Sequence, residues 1–159
     1  MTGELDLYLT QIRRLLDRVC ATIEGLDEAR LNWRPSIPEA NSVYVIAAHI
    51  LGNAEAWVLG IACERPIQRD RPAEFRATGQ SAAPLVARAH ELAGQIEEAL
   101  RALPPSALDE VRDPSPTLWG ESEPRPVAVR EALMHVIEHA AGHLGQIDIT
   151  QDLALASQT

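Results

Sequence analysis

Apolar side chains return at the spacing i, i+3, i+4, i+7 in four separate stretches of this chain, and almost nothing in it resembles a strand. The clearest stretch runs from about Glu4 to Glu24, with Leu5, Tyr8, Leu9, Ile12, Leu15, Leu16, Val19 and Ile23 on one side. Arg13, Arg14, Asp17 and Arg18 fall opposite, and Gly25 is placed to stop the helix. The second follows the loop LNWRPSIPEANS, starts from a cap at Asn41 or Ser42 and ends at about Cys63, before Arg65-Pro66. Its apolar face is broad (Val43, Ile46, Ala47, Ile50, Leu51, Ala54, Trp57, Val58, Ile61), as an inner helix requires. The third starts near Ser81, tolerates Pro84 in its first turn and closes at Pro104-Pro105; its stripe is Leu85, Ala89, Leu92, Ile96, Leu100 and Leu103. The fourth runs from about Val127 to about Leu153, with Leu133, Val136, Ile137, Ala140, Leu144 and Ile147 inward.

Four such stripes can leave water only by packing against one another, so the expected fold is all-α, a four-helix bundle. The connections after helices two and three are long, roughly 15–20 residues, and leave room for crossings. Residues 104–126 hold six prolines and no helical period, which reads as a cover or a tethered crossing. A length of 159 residues matches one domain, residues 1–159, able to hide roughly 70% of its unfolded surface without disulfides.

Charge and cysteine usage narrow the function. Fourteen basic against 23 acidic residues give a net charge of −9, which argues against a nucleic-acid partner. There is no lysine; every cation is arginine, the residue suited to holding carboxylates in a two-pronged grip, unless a GC-rich genome alone accounts for it. Cys20 and Cys63 show no CxxC spacing and read as thiols in a reducing compartment. The first residues lack the pattern of a signal peptide, and no apolar run is expected to reach the ~20 residues of a membrane span. The expected location is the cytoplasm, with no membrane partner.

The five histidines carry the chemistry. His135, His139 and His143 lie within LMHVIEHAAGHLGQI on the fourth helix. Residues four apart differ by only about 40° around a helix, so His139 and His143 project from one face and can chelate one ion. Catalytic zinc takes three protein ligands and keeps an open position, and His49, centred on the second helix, is the natural third. Val45, Gly52 and Ala56 beside His49, with Ala140 and Gly142 beside the pair, would let the helices approach and leave space over an ion.

Other readings compete. A histidine on a helix is ordinarily a core or surface residue, and the three rings need not meet. His90 falls off the stripe of helix three and reads as solvated. His135 through His139 also spells H-x-x-E-H, the signature of inverted zinc proteases. Those enzymes need a further acidic ligand and large substrate-enclosing domains, and Glu138 points about 100° away from His139. His135 is better read as a partner behind a ligand or as a core histidine.

At these residues the chain resembles the DinB-like superfamily of metal-binding bundles, which includes bacterial thiol transferases and the amino-terminal domain of mycothiol-dependent maleylpyruvate isomerase. The resemblance lies in NSVYVIAAHILGNAEAWV around His49, PVAVREALMHVIEHAAGHLGQI around His139 and His143, and a first helix leading into LNWRP. It covers nearly the whole chain. It implies a four-helix bundle, often a homodimer, holding zinc or nickel on His49, His139 and His143. It further implies transfer of a low-molecular-weight thiol to a small electrophile, with water or the substrate thiolate at the open position. Gln146, about one turn beyond His143, is placed to orient that species, and Tyr44 and Trp119 to wall the pocket; Asn53 and Glu55 are expected to cap or solvate. The alternative function is a non-catalytic metal-binding or dimerising bundle, or a bundle with no metal at all.

Overall fold

The protein is represented by a computed structural model that describes residues 3–120 and 122–157. Four long helices form the bundle. Helix α1 spans Glu4–Ile23, ends one residue inside the expected boundary and is stopped by Gly25, whose φ of 84° only glycine adopts readily. A short helix α2, Glu28–Asn32, is capped by Asp27 and takes in the first two residues of the expected loop LNWRPSIPEANS.

Helix α3, Val43–Ala54, begins at Ser42, whose hydroxyl accepts from the Val45 amide at 3.3 Å. The chain then widens, without a break, into a π-wound stretch over Glu55–Ala62. Its end is marked by the Cys63 amide reaching back five residues to the Val58 carbonyl at 3.0 Å. Periodicity cannot announce this change of winding, because nearly every residue from Val43 to Ala62 is buried and no polar face reports the pitch. The expectation that no apolar run reaches a membrane span is corrected here. Val43–Ala62 is 20 residues with a mean hydropathy of 1.5, long and apolar enough to cross a membrane, but 94% of that window is buried inside the bundle.

Helix α4, Arg71–Arg76, occupies the long connection after the second expected helix. Helix α5 spans Ala83–Ala102, with Pro84 in its first turn as expected. The proline-rich segment is more ordered than its composition suggests. It holds a 3-10 turn at Pro105–Asp109, a helix α6 at Pro116–Trp119, and a two-residue ladder in which β1 (Val111–Arg112) pairs antiparallel with β2 (Val127–Ala128). That ladder replaces the first residues expected of the last helix, so α7 spans Val129–Ala156.

The packing is that of a bundle with crossing connections. Helices α1 and α3 each pack against both α5 and α7, so α1 lies diagonally from α3, and α5 from α7. Crossings therefore follow α1 and α5. The connection after α3 crosses nothing; it folds back so that α4 lies along α3, which places α4 beside His49.

Candidate metal centre

Helix α3 delivers His49 from its buried interior, where the side chain is only 6% exposed. Helix α7 delivers His139 and His143, both half-buried, from successive turns of one face. The three expected residues meet: one nitrogen from each lies within 4.8 Å of the others. The Nε2 atoms of His49 and His139 are 3.1 Å apart, as are those of His139 and His143. Nitrogens bound at about 2.0–2.1 Å around a tetrahedral ion would sit about 3.3–3.4 Å apart, so the spacing fits a shared cation.

Proton counting sharpens this. The Nδ1–H of His49 donates to Glu74 Oε2 at 2.7 Å, which leaves the Nε2 of a neutral ring as a bare lone pair. His143 Nδ1–H donates to Gln146 Oε1 at 2.6 Å, with the same consequence. Both lone pairs point at His139 Nε2, whose single proton could satisfy one of them. Extra protons are not available from the ring itself. Burial, together with the neighbouring His143 and His49, pushes the His139 pKa down to about 2, and burial also lowers His143. His139 Nδ1 is buried with no partner at all. Three converging imidazole nitrogens, of which His139 can donate to only one neighbour, leave a lone pair facing a common point, and the residues fit a divalent ion.

Behind His49 stands a group the sequence did not suggest. Glu74, on α4 and 8% exposed, receives the His49 proton on Oε2, while Arg69, 3% exposed, grips both its oxygens (Nε to Oε1 at 2.8 Å, Nη2 to Oε2 at 3.0 Å). Burial alone would raise the Glu74 pKa; the hydrogen bonds from His49 and Arg69 outweigh it and hold the carboxyl ionised. Arg69 Nη1 also reaches the Leu118 carbonyl on α6 at 3.4 Å. Phe75, from the same short helix, packs on the His49 ring with centroids 4.8 Å apart. One local signal for α4 was present: Asp70 ahead of Arg71-Pro72 is a helix start, and its Oδ1 accepts from the Ala73 amide at 3.0 Å. Gly52 was expected to ease helix–helix approach. Its missing side chain instead makes room for Glu74, since a Cβ there would fall 2.1 Å from Oε1.

The remaining candidates fall into place around the triad. The Gln146 Oε1 accepts from the His143 imidazole, so it orients that ring. His135 lies between Trp57, stacked at 3.7 Å, and Asn53, whose Nδ2 donates to His135 Nε2 at 3.3 Å. Asn53 was expected to cap or solvate; it is buried. Glu55 pairs with Arg88 at 2.8 Å and stays half-exposed. Trp119 packs on Trp57 at 4.9 Å, on the His135 side of the triad, and Tyr44 packs over Gly79, where a Cβ would lie 2.1 Å from its ring. His90 is exposed, as expected.

A helical bundle presenting two histidines from its last helix and one from its second defines a class of protein, and comparison identifies the family. The profile of the DinB superfamily matches residues 11–147, and the chain belongs to that superfamily. Among solved structures it is similar to a DinB-like protein from Bacillus cereus (TM-score 0.65, 18% identity, covering 92% of this chain and 85% of that one). It is also similar to a conserved protein from Enterococcus faecalis (TM-score 0.69, 19% identity, 98% and 99% covered) and to a DinB-like protein from Bacillus subtilis (TM-score 0.62, 17% identity, 94% and 90% covered). At these identities the likeness concerns the fold. No curated protein matches the chain.

Proposed function

We propose that His49, His139 and His143 hold one divalent ion, zinc or nickel, and that the protein is a metal-dependent enzyme transferring a low-molecular-weight thiol to a small electrophile. One observation carries the metal reading: three imidazole nitrogens from two helices converge within 4.8 Å of one another, close enough to share one ion. An ion held by three neutral histidines offers a Lewis-acidic position that favours the deprotonated form of water or a thiol. The chain's residues supply the rest. Glu74 and Gln146 hold two of the rings, and the Arg69–Glu74 pair cancels its own charge, so the net positive charge of the site favours an anionic guest. The protein's own thiols are poor nucleophiles, because burial pushes Cys63 up to about 11 and raises Cys20 as well. The nucleophilic sulfur is therefore assigned to a substrate. In the reaction class that fits, its electron pair forms the new bond to carbon, its proton passes to solvent, and any leaving group departs with its bonding pair.

Metal content tests the first half. Protein dialysed against zinc or nickel should retain about one equivalent per chain, lost in His139→Ala. Ion at a hundredfold excess over its dissociation constant should stabilise the fold by ~2.7 kcal/mol, and chelator should remove that gain. The second half is tested by incubating bacillithiol, mycothiol or glutathione with a model electrophile. Activity that survives His139→Ala would overturn the catalytic assignment.

A second reading, a metal-binding module that pairs with its own copy, draws on the outer face of α7. Met134, Ile149 and Leu153 are 52%, 62% and 47% exposed there, within about 100° of one another, an arc that also holds exposed Gly145, Glu138 and Asp152. Sedimentation of the wild type against Ile149→Glu distinguishes a homodimer from a monomer.

A further inference from the structure

We propose that Glu74, gripped by Arg69, is the positioning residue of the metal centre: it fixes His49 in the tautomer that presents Nε2 and so sets how tightly the ion is held. This rests on the three-histidine reading above. A carboxylate can only accept, so a buried carboxylate 2.7 Å from His49 Nδ1 places the ring's proton there and the lone pair on Nε2. Carboxylates behind ligand histidines also make them better donors.

The arrangement is built to keep that carboxylate in one place. Arg69 binds both oxygens in a planar fork, and its third nitrogen is tied to the Leu118 carbonyl, so the grip is anchored to two separate segments. Gly52 leaves the space the carboxylate fills, on the same helix as His49 and one turn beyond it. A simple ion pair pinning α4 to α3 needs neither the contact with Nδ1 nor the glycine. His139 offers the contrast: its Nδ1 has no hydrogen-bond partner, so no group behind the ring fixes its tautomer.

The test uses the full chain and three measurements. Long-range 15N–1H spectra of metal-free protein read the His49 tautomer, competition with a chromophoric chelator reads zinc affinity, and circular dichroism checks folding. The wild type should carry its His49 proton on Nδ1 and bind zinc. Glu74→Ala should lose that single tautomer and bind zinc roughly 10- to 100-fold more weakly. Glu74→Gln, whose amide oxygen can still accept from Nδ1, should keep the tautomer and fall between the two. Gly52→Ala removes no ligand and no carboxylate, yet should weaken zinc binding because its methyl displaces Glu74. If Glu74→Ala does not fold, Glu74→Gln and Gly52→Ala decide the matter. An unchanged tautomer in folded Glu74→Ala, or zinc affinity within about twofold of wild type across the folded variants, overturns the role of Glu74 while leaving the triad standing. A wild type that binds no zinc or nickel overturns the triad, and this role with it.

Discussion

The two imidazoles that flank His139 are backed in opposite ways. His49 is held from behind by an ionised carboxylate that is itself locked by an arginine, all three groups buried. His143 is held by the neutral amide of an exposed glutamine three residues further along its own helix. One partner is imported from another element at the cost of burying two charges; the other comes with the helix. A hydrogen bond to a charged group shielded from water is stronger and harder to remove than a neutral one at the surface. The ion's position should therefore be fixed mainly from the α3–α4 side, with the α7 side adapting.

The largest effect that would break this contrast is on stability. Removing the charge with Glu74→Gln leaves Arg69 buried without its counter-charge, which should cost about 3–5 kcal/mol in chemical denaturation of the metal-free protein. The double variant Arg69→Met/Glu74→Gln should recover much of that loss. The pH dependence has a definite sign. The folded-state pKa of Glu74 lies below its ordinary value of 4.5, so its contribution is fully present above about pH 4.5 and is lost as pH falls through the lower, folded-state value. The gap between wild type and Glu74→Gln should thus narrow in acid. A gap that widened there would contradict an ionised, paired carboxylate.

On the other side, Gln146→Ala removes one hydrogen bond at an exposed position. It should weaken metal binding by about 1 kcal/mol, roughly fivefold, with little change in the stability of the metal-free protein. Chelator competition measured beside the Glu74 variants ranks the two partners directly. Equal losses from Glu74→Ala and Gln146→Ala would erase the asymmetry.

The same contrast explains what the sequence disclosed. The triad was legible because its geometry is carried by regular helices: an i, i+4 pair fixes His139 against His143, and a broad apolar stripe marks the helix carrying His49. Gln146 sits at a readable helical offset as well, and its oxygen meets the His143 ring. Glu74 and Arg69 were hidden. They belong to a helix of six residues and the turn before it, too short to show a period, and in sequence an arginine-rich connection looks like solvated loop. Only the tertiary fold-back of that connection turns two surface-type residues into a buried pair. Asn53 was misjudged for a related reason: in a helix buried nearly all round, no polar face marks which polar side chains point inward.

Glycine substitutions sharpen the comparison with the smallest perturbation. Gly52 and Gly142 both lie inside helices, without positive φ, close to the same three histidines. A methyl at Gly52 would collide with Glu74 Oε1 at 2.1 Å, whereas one at Gly142 would meet nothing within 4 Å. Alanine is favoured over glycine in a helix interior by about 0.5–1 kcal/mol. Gly142→Ala should therefore raise the melting temperature by roughly 1–4 °C and leave zinc affinity unchanged. The α7 face between the two histidines is open, so a side chain there has no carboxylate to displace. A loss of metal binding in Gly142→Ala would mean that the α7 side also depends on close packing behind its ligands, and the division between a fixed side and an adaptable one would fail.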